Sequence, residues 1–298
     1  MMGALHCTLN GRKYTTMYCS RFDLYVAEVV GDIPARLCAS WLSWFHSWSS
    51  AVITPSPSMA ENLRAQIPHV TGILNGCDTT SFSPDGPKCP EMEDLAHPIW
   101  LYVGRVCKEK NVGALMSLAL ESKLEGTVVI VGKGPDLDDY EKAYSNAKTS
   151  TAVKFLGWRS GADLESVYRS ADVFVFPSLT DTFGQVMVEA MASGLPVAAF
   201  PTTGPVDVVR NDVTGSLDSD LQQACRKALE SKNNDACLAH ARTFSWNEMS
   251  KKFLAVQPPL QEAIAPNSWF GAHMLLPVLA LLIMRVLISV LYSRYSHS

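Results

Sequence analysis

No two cysteines in this chain are spaced as CxxC, and the eight present, at positions 7, 19, 38, 77, 89, 107, 225 and 237, follow no recurrent spacing. That argues against a disulfide framework and against a zinc site, and it fits scattered reduced thiols in a cytosol-facing protein. A basic stripe is also missing. With a formal net charge of −4, nucleic acid is not an expected partner. The first 19 residues lack the apolar run of a secretory signal. There is no internal repeat and no low-complexity tract. A hydrophobic content of 47% with 18% charged residues excludes wholesale disorder.

One long apolar run is present, from Trp269 to Tyr292, about the length a helix needs to span a bilayer core. Its strong charge is Arg285. An arginine costs roughly 2.5–3.5 kcal/mol at a helix centre, while each Leu, Ile or Val returns about 0.3–0.6. The aliphatics outweigh it, and so near the end of the run it can snorkel. A transmembrane helix over 269–292 is therefore predicted: a single-pass C-terminal anchor at a membrane, with the rest of the chain on the cytosolic side. A buried or surface-lying helix is the other reading of the same residues. Lys251 and Lys252 before the run and Arg294 after it give too little bias to orient it by charge.

Upstream, residues 35–50 place Leu37, Trp41, Trp44, Phe45 and Trp48 at helical spacing. A short strand follows from Ala51. A helix is expected from Ser58, with Glu61 completing a capping box. The stretch SPDGPKCPEMEDLAHP, ending at Pro98, has the composition of a linker. Beyond it, strands over 99–103, 128–131, 153–156, 173–176 and 197–200 alternate with helices over 111–120, 137–147, 162–169 and 184–193. Continuous apolar strands in such alternation imply an α/β fold with a parallel sheet covered on both faces. Ligands are then expected beyond the carboxyl ends of the strands. The predicted organisation is a first domain over 1–83, a linker over 84–98, a second domain over 99–256, a second linker over 257–268 and the membrane helix.

The most informative string is VFPSLTDTFGQVMVEAMASGLPV, from Val175 to Val197. A buried strand ends at Pro177, a polar loop carries Asp181, and a helix begins near Gly184. The backbone N–H groups of Thr182, Phe183 and Gly184 would leave that helix N-terminus as an anion site suited to a diphosphate. Glu189, further along the helix, could accept two ribose hydroxyls. An ordinary strand–loop–helix unit with solvated acids has the same spacing, which alone does not separate the two. A second string, YVGRVCKEKNV from Tyr102, follows the first strand of the second domain. Arg105 and Lys110 on that loop make a sensible diphosphate clamp. A third, VIVGKGP from Val129, lacks the last glycine of G-x-G-x-x-G and is a poor dinucleotide fingerprint.

Asp181 and Glu189, eight residues apart, resemble the acid-x7-acid signature of glycosyltransferase family 4, and Gly104-Arg105 followed by Glu109-Lys110-Asn111 resembles its second motif. Asn75-Gly-Cys-Asp78 and the segment Gly11–Tyr25 are similar to further family segments, so the resemblance covers roughly residues 5–256. It implies a GT-B architecture of two Rossmann-like domains with a cleft between them, and retaining transfer of a sugar from a nucleotide-sugar donor. No metal ligand set is visible in the sequence, and no cofactor is expected beside the nucleotide-sugar donor. By the same resemblance Asp181 would hold the sugar and Glu189 the ribose. Gly104, Arg105, Lys110 and the Thr182–Gly184 amides would serve the diphosphate. The anchor suggests a lipid or glycan acceptor at a membrane. Asp181 stands where the family most often has glutamate, and Cys19 stands where it carries a histidine. Residues 1–83 are also short for a complete Rossmann-like domain, normally above ~100 residues, so the first domain is expected to be incomplete. A donor-binding homologue or partner subunit without robust turnover is the alternative reading. A nicotinamide-dependent dehydrogenase is a third.

Overall fold

A computed structural model describes Ala4, His6, Cys7 and residues 12–257. The predicted membrane helix over 269–292 lies outside these residues. Among those described, no helix is long and apolar enough to cross a membrane. The chain divides into two compact units. The smaller takes its described residues from the segment up to Thr54, from Ala60–Thr71 and from 254–257; the larger comprises Pro55–Met59 and Gly72–Phe253.

The first elements are β1 (Thr15–Met17), α1 (Phe22–Val30), α2 (Asp32–Ser47), β2 (Ala51–Thr54), α3 (Pro57–Arg64) and β3 (Val70–Gly72). The strands form a three-stranded sheet in the order β1-β2-β3, with β1 and β2 parallel. Helix α2 starts three residues earlier than its apolar spacing suggests, because Gly31 at φ +103° breaks the chain between α1 and α2. It turns Ala35, Cys38 and His46 inward, whereas Ile33, Leu37, Trp44 and Trp48 are exposed. The capping box expected at Ser58 does not form. The Ser56 hydroxyl accepts from Met59 N at 3.4 Å, and Pro57 occupies the first helical position. Ser58 instead donates its hydroxyl, and its backbone N at 3.1 Å, to the Asp207 carboxylate.

The larger unit continues with β4 (Ile99–Val103), α4 (Val112–Leu120), β5 (Thr127–Val131), α5 (Leu137–Ser145), β6 (Ala152–Gly157), α6 (Gly161–Ser170), β7 (Val173–Phe176), α7 (Gln185–Ala192), β8 (Val197–Ala199), α8 (Pro205–Val208), β9 (Gly215–Leu217), α9 (Leu221–Glu230), α10 (Asn234–Ala241) and α11 (Trp246–Ala255). Its six strands are all parallel, in the order β6-β5-β4-β7-β8-β9. Strands β4, β5 and β7 are buried at every residue, which a parallel strand between two helical layers requires. The two-residue period sorts each strand between two cores. Leu101, Val129 and Phe174 meet Tyr168 of α6, Met187 and Met191 of α7 and Cys237 of α10. Trp100, Val128 and Val175 meet Leu115 of α4 and Cys225 of α9 on the other face. The proline-rich stretch 84–98 packs on this unit: Cys89 and Met92 are buried in its core, and Cys89 N donates to the Ser170 hydroxyl at 2.8 Å.

In the smaller unit, His46 is buried against Tyr18 and Phe45, with Nδ1 2.8 Å from the Thr16 hydroxyl. Burial, with a smaller contribution from His69, pushes its pKa down to about 4. An unfolded histidine titrates near 6.5, so the fold binds this proton less readily than the unfolded chain does. Its contribution is complete above about pH 6.5 and is lost as the pH falls towards the folded value, by about 3 kcal/mol at most. Thermal unfolding from pH 7 to pH 4 should therefore show a falling midpoint, with a shallower fall in His46→Phe. Identical pH slopes in the two chains would show that His46 is not the group responsible.

Candidate functional site

Counted within the larger unit, the strand order is 3-2-1-4-5-6, so the direction of winding reverses between β4 and β7. In open α/β sheets the loops that leave the strands at such a reversal flank the crevice where ligands bind. Both strings singled out in the sequence lie on these loops. Lys110 Nζ donates to Asp181 Oδ1 at 2.6 Å, with the two side chains 26% and 18% exposed. Around that pair, Asn111 Nδ2 donates to Pro177 O at 3.0 Å and the Thr180 hydroxyl to Glu109 O at 3.2 Å. Asn111 sits at φ +52°, a left-handed turn that feeds α4. The second carboxylate oxygen of Asp181, Oδ2, is buried with no hydrogen-bond partner among the described residues. An unmet buried acceptor costs about 1–3 kcal/mol, so this atom calls for a donor.

Gly104 and Arg105 share the Lys110 loop. Gly104 N donates to Val131 O at 2.9 Å. The half-exposed Arg105 guanidinium reaches Glu109 Oε2 at 3.2 Å and Cys107 Sγ at 3.3 Å. On the facing loop, Thr182, Phe183 and Gly184 lead into α7, which starts at Gln185, one residue later than expected. Gly184 caps it at φ +80° without any side-chain hydrogen bond. With no side-chain cap at Gly184, the positive end of the α7 dipole suits an anion, although Met187 N already donates to Gly184 O at 3.0 Å. Phe183 is itself buried, its ring 6.0 Å from that of Phe244, so only its backbone is on offer. Gly204 holds the next loop close: at φ +91°, a Cβ there would lie 2.9 Å from Asp181 O.

Glu189 occupies the second turn of α7, and its Oε2 accepts from the Tyr168 hydroxyl at 3.0 Å. Burial pushes the Glu189 carboxyl up from its ordinary value, and the Tyr168 hydrogen bond opposes that shift. Tyr168 was not among the residues singled out from the sequence. The pattern of α6 marks it as an inward aromatic, and an inward phenylalanine would give the same pattern.

The glycines of VIVGKGP carry out a structural task. A Cβ on Gly132 would lie 1.8 Å from Gly104 O, and one on Gly134 would lie 2.0 Å from Val106 O. Val106 N donates to Lys133 O at 2.9 Å. These glycines let the loop after β5 lie directly on the loop that carries Arg105. Trp158, 63% exposed, stands just beyond Gly157 at the end of β6. Among the described residues no group of three His, Cys, Asp or Glu is placed to hold a metal ion.

Residues 91–239 match the family model described as glycosyl transferases group 1. This chain belongs to that family. It is 38% identical over 196 residues to a GDP-mannose-dependent alpha-mannosyltransferase of Mycolicibacterium smegmatis, covering 64% of this chain and 50% of that protein. It is 31% identical over 208 residues to a sulfoquinovosyl transferase of Arabidopsis thaliana, covering 66% and 40%. The group 1 chain thus spans about half the length of the mannosyltransferases it matches. Its fold resembles that of Anabaena HepE, solved in complex with UDP-glucose, with a TM-score of 0.69 at 18% identity, covering 85% of this chain and 74% of that one. The fold is therefore the α/β, GT-B-like, Rossmann-type one.

The close approach of the loops after β4 and β5 yields a direct test. Gly132→Ala meets backbone at 1.8 Å and a backbone angle of φ +141°, whereas Gly157→Ala, at φ +67°, meets nothing within 4 Å. Gly157→Ala should cost about 1 kcal/mol and Gly132→Ala well over about 2 kcal/mol. Denaturant melts that rank the two equally would contradict this packing.

Proposed function

We propose that the larger unit binds the nucleoside diphosphate of a nucleotide sugar across the β4–β7 crevice, and that the chain transfers the sugar with retention to a lipid or glycan acceptor. The observation that carries the proposal is Asp181. One of its oxygens is neutralised by Lys110 and the other is buried without a donor among the described residues, an arrangement completed by a polyhydroxylated ligand beside an anionic one. In this reading the diphosphate draws Lys110 to itself, Arg105 swings from Glu109, and the uncapped first turn of α7 supplies further donors. Asp181 then accepts from sugar hydroxyls and Glu189 from the ribose.

The chemistry follows from where charge develops. As the bond from the anomeric carbon to the phosphate oxygen breaks, the electron pair stays on the diphosphate. The acceptor hydroxyl forms the new bond on the same face, and its proton passes to that leaving oxygen. Cations and amides fixed around the phosphate stabilise this charge more strongly than that of the ground state, which accelerates transfer. The relatives' names point to GDP-mannose and the solved neighbour was captured with UDP-glucose, so both bases are candidates. The acceptor reading rests on the apolar stretch 269–292.

Calorimetric titration of the full chain with GDP and UDP is the test. One of them should bind, and Arg105→Ala and Glu189→Ala should each weaken it at least tenfold, about 1.4 kcal/mol. Failure of both nucleotides, or variants equal to the parent, would remove the site assignment. With membranes and labelled GDP-mannose or UDP-glucose, label should enter the lipid-extractable fraction. Label passing only to water would oppose the acceptor assignment.

A further inference from the structure

Tyr168 lies in the middle of the larger unit's core. Its ring packs edge-on against Phe82 at 5.5 Å and tilted against Phe174 at 5.9 Å, and the side chain is fully buried. Everything in that description would suit phenylalanine. The hydroxyl is the exception, because a buried phenol needs a partner. It finds one in Glu189 Oε2 at 3.0 Å. Glu189 belongs to the neighbouring helix, 21 positions on, so α6 holds a side chain of α7 from within the core.

We infer that Tyr168 is a positioning residue for the nucleotide ribose: its hydroxyl occupies Glu189 Oε2 and fixes the carboxylate so that the remaining oxygen is presented to the ribose hydroxyls. The inference rests on the donor-binding reading above and goes beyond it, because it assigns the ribose selectivity to a pair of residues. The hydrogen bond does two things. Geometrically, it removes rotation about the last bond of a side chain that would otherwise have to be ordered by the ligand, and such ordering weakens binding. Electrostatically, it supplies one charge-assisted hydrogen bond to a carboxylate that burial would otherwise push towards its neutral form. Among the described residues, Glu189 also acts electrostatically on the Cys77 thiol, which burial above all pushes up to about 12. It is neutral near pH 7 and does not offset the carboxylate's charge.

The test compares GDP with 2′,3′-dideoxy-GDP, or the UDP pair if UDP is the ligand, on the full chain by calorimetry. The wild-type chain should prefer the ribonucleotide by about tenfold. Tyr168→Phe should shrink that preference to threefold or less, while dideoxynucleotide affinity stays within twofold of wild type. In a Glu189→Ala background the same substitution should have no further effect on the preference. The preference should also depend on pH. It is present while Glu189 is ionised and lost as the pH falls through its pKa; without the Tyr168 donor the loss should set in at higher pH. An unchanged preference in Tyr168→Phe, or equal weakening of both nucleotides, would assign Tyr168 to the core alone and overturn the inference. A wild-type chain that binds neither ribonucleotide would instead reject the donor-binding reading itself.

Discussion

The pairing of β4 with β7 is the constraint on which the larger unit depends. These strands are not consecutive, and their contact reverses the winding direction of the sheet. Everything of chemical interest follows from that reversal. Loops that leave adjacent strands on the same side would cover one another. Loops that leave at the reversal point spread apart, and their ends can meet across a crevice. The Lys110–Asp181 pair is where they meet. Three glycines hold the neighbouring loops close to this pair. Gly132 and Gly134 bring the loop after β5 onto the Arg105 loop, and Gly204 brings the loop after β8 onto Asp181.

The charges around the crevice are arranged in an unsatisfied way. A partly buried ion pair is costly to assemble, because desolvation offsets most of the attraction. This one also leaves a buried carboxylate oxygen without a donor among the described residues. A core built for stability alone would avoid both features. They are consistent with a site whose groups are completed by a ligand. Glu189 is treated differently. Its Oε2 is held by the Tyr168 hydroxyl, so in the proposed reading it is poised before any ligand arrives, whereas Lys110 would exchange partners.

Much of this was legible in the sequence, for reasons that differ along the chain. The bounds of β4 and β7 follow from runs of apolar residues with no polar interruption, the signature of a strand buried on both faces. Helices α4 to α7 follow from the alternation. The short α8 and β9 carry too little local pattern to be read, and α10 has no apolar face that periodicity would mark. Helix α9, capped by Asp220 with Leu221, Ala224, Cys225 and Ala228 turned inward, does carry a helical pattern that was passed over. Ser58 was misplaced because its hydroxyl is taken by Asp207, 149 residues away, and local capping rules do not anticipate such a partner. The site residues came from motif resemblance rather than from spacing, which left solvated acids equally possible. Tyr168 was invisible because periodicity reports a side chain's burial and not where its hydroxyl points.

The central claim is that a nucleoside diphosphate completes the β4–β7 crevice by drawing Lys110 from Asp181. A crystal structure of the chain with GDP or UDP bound tests it most directly. The account predicts diphosphate oxygens within hydrogen-bond distance of Lys110 Nζ and of the first-turn amides of α7, with the Lys110–Asp181 contact opened. A nucleotide seated elsewhere, or a diphosphate in the crevice with Lys110 still 2.6 Å from Asp181 Oδ1, would contradict it.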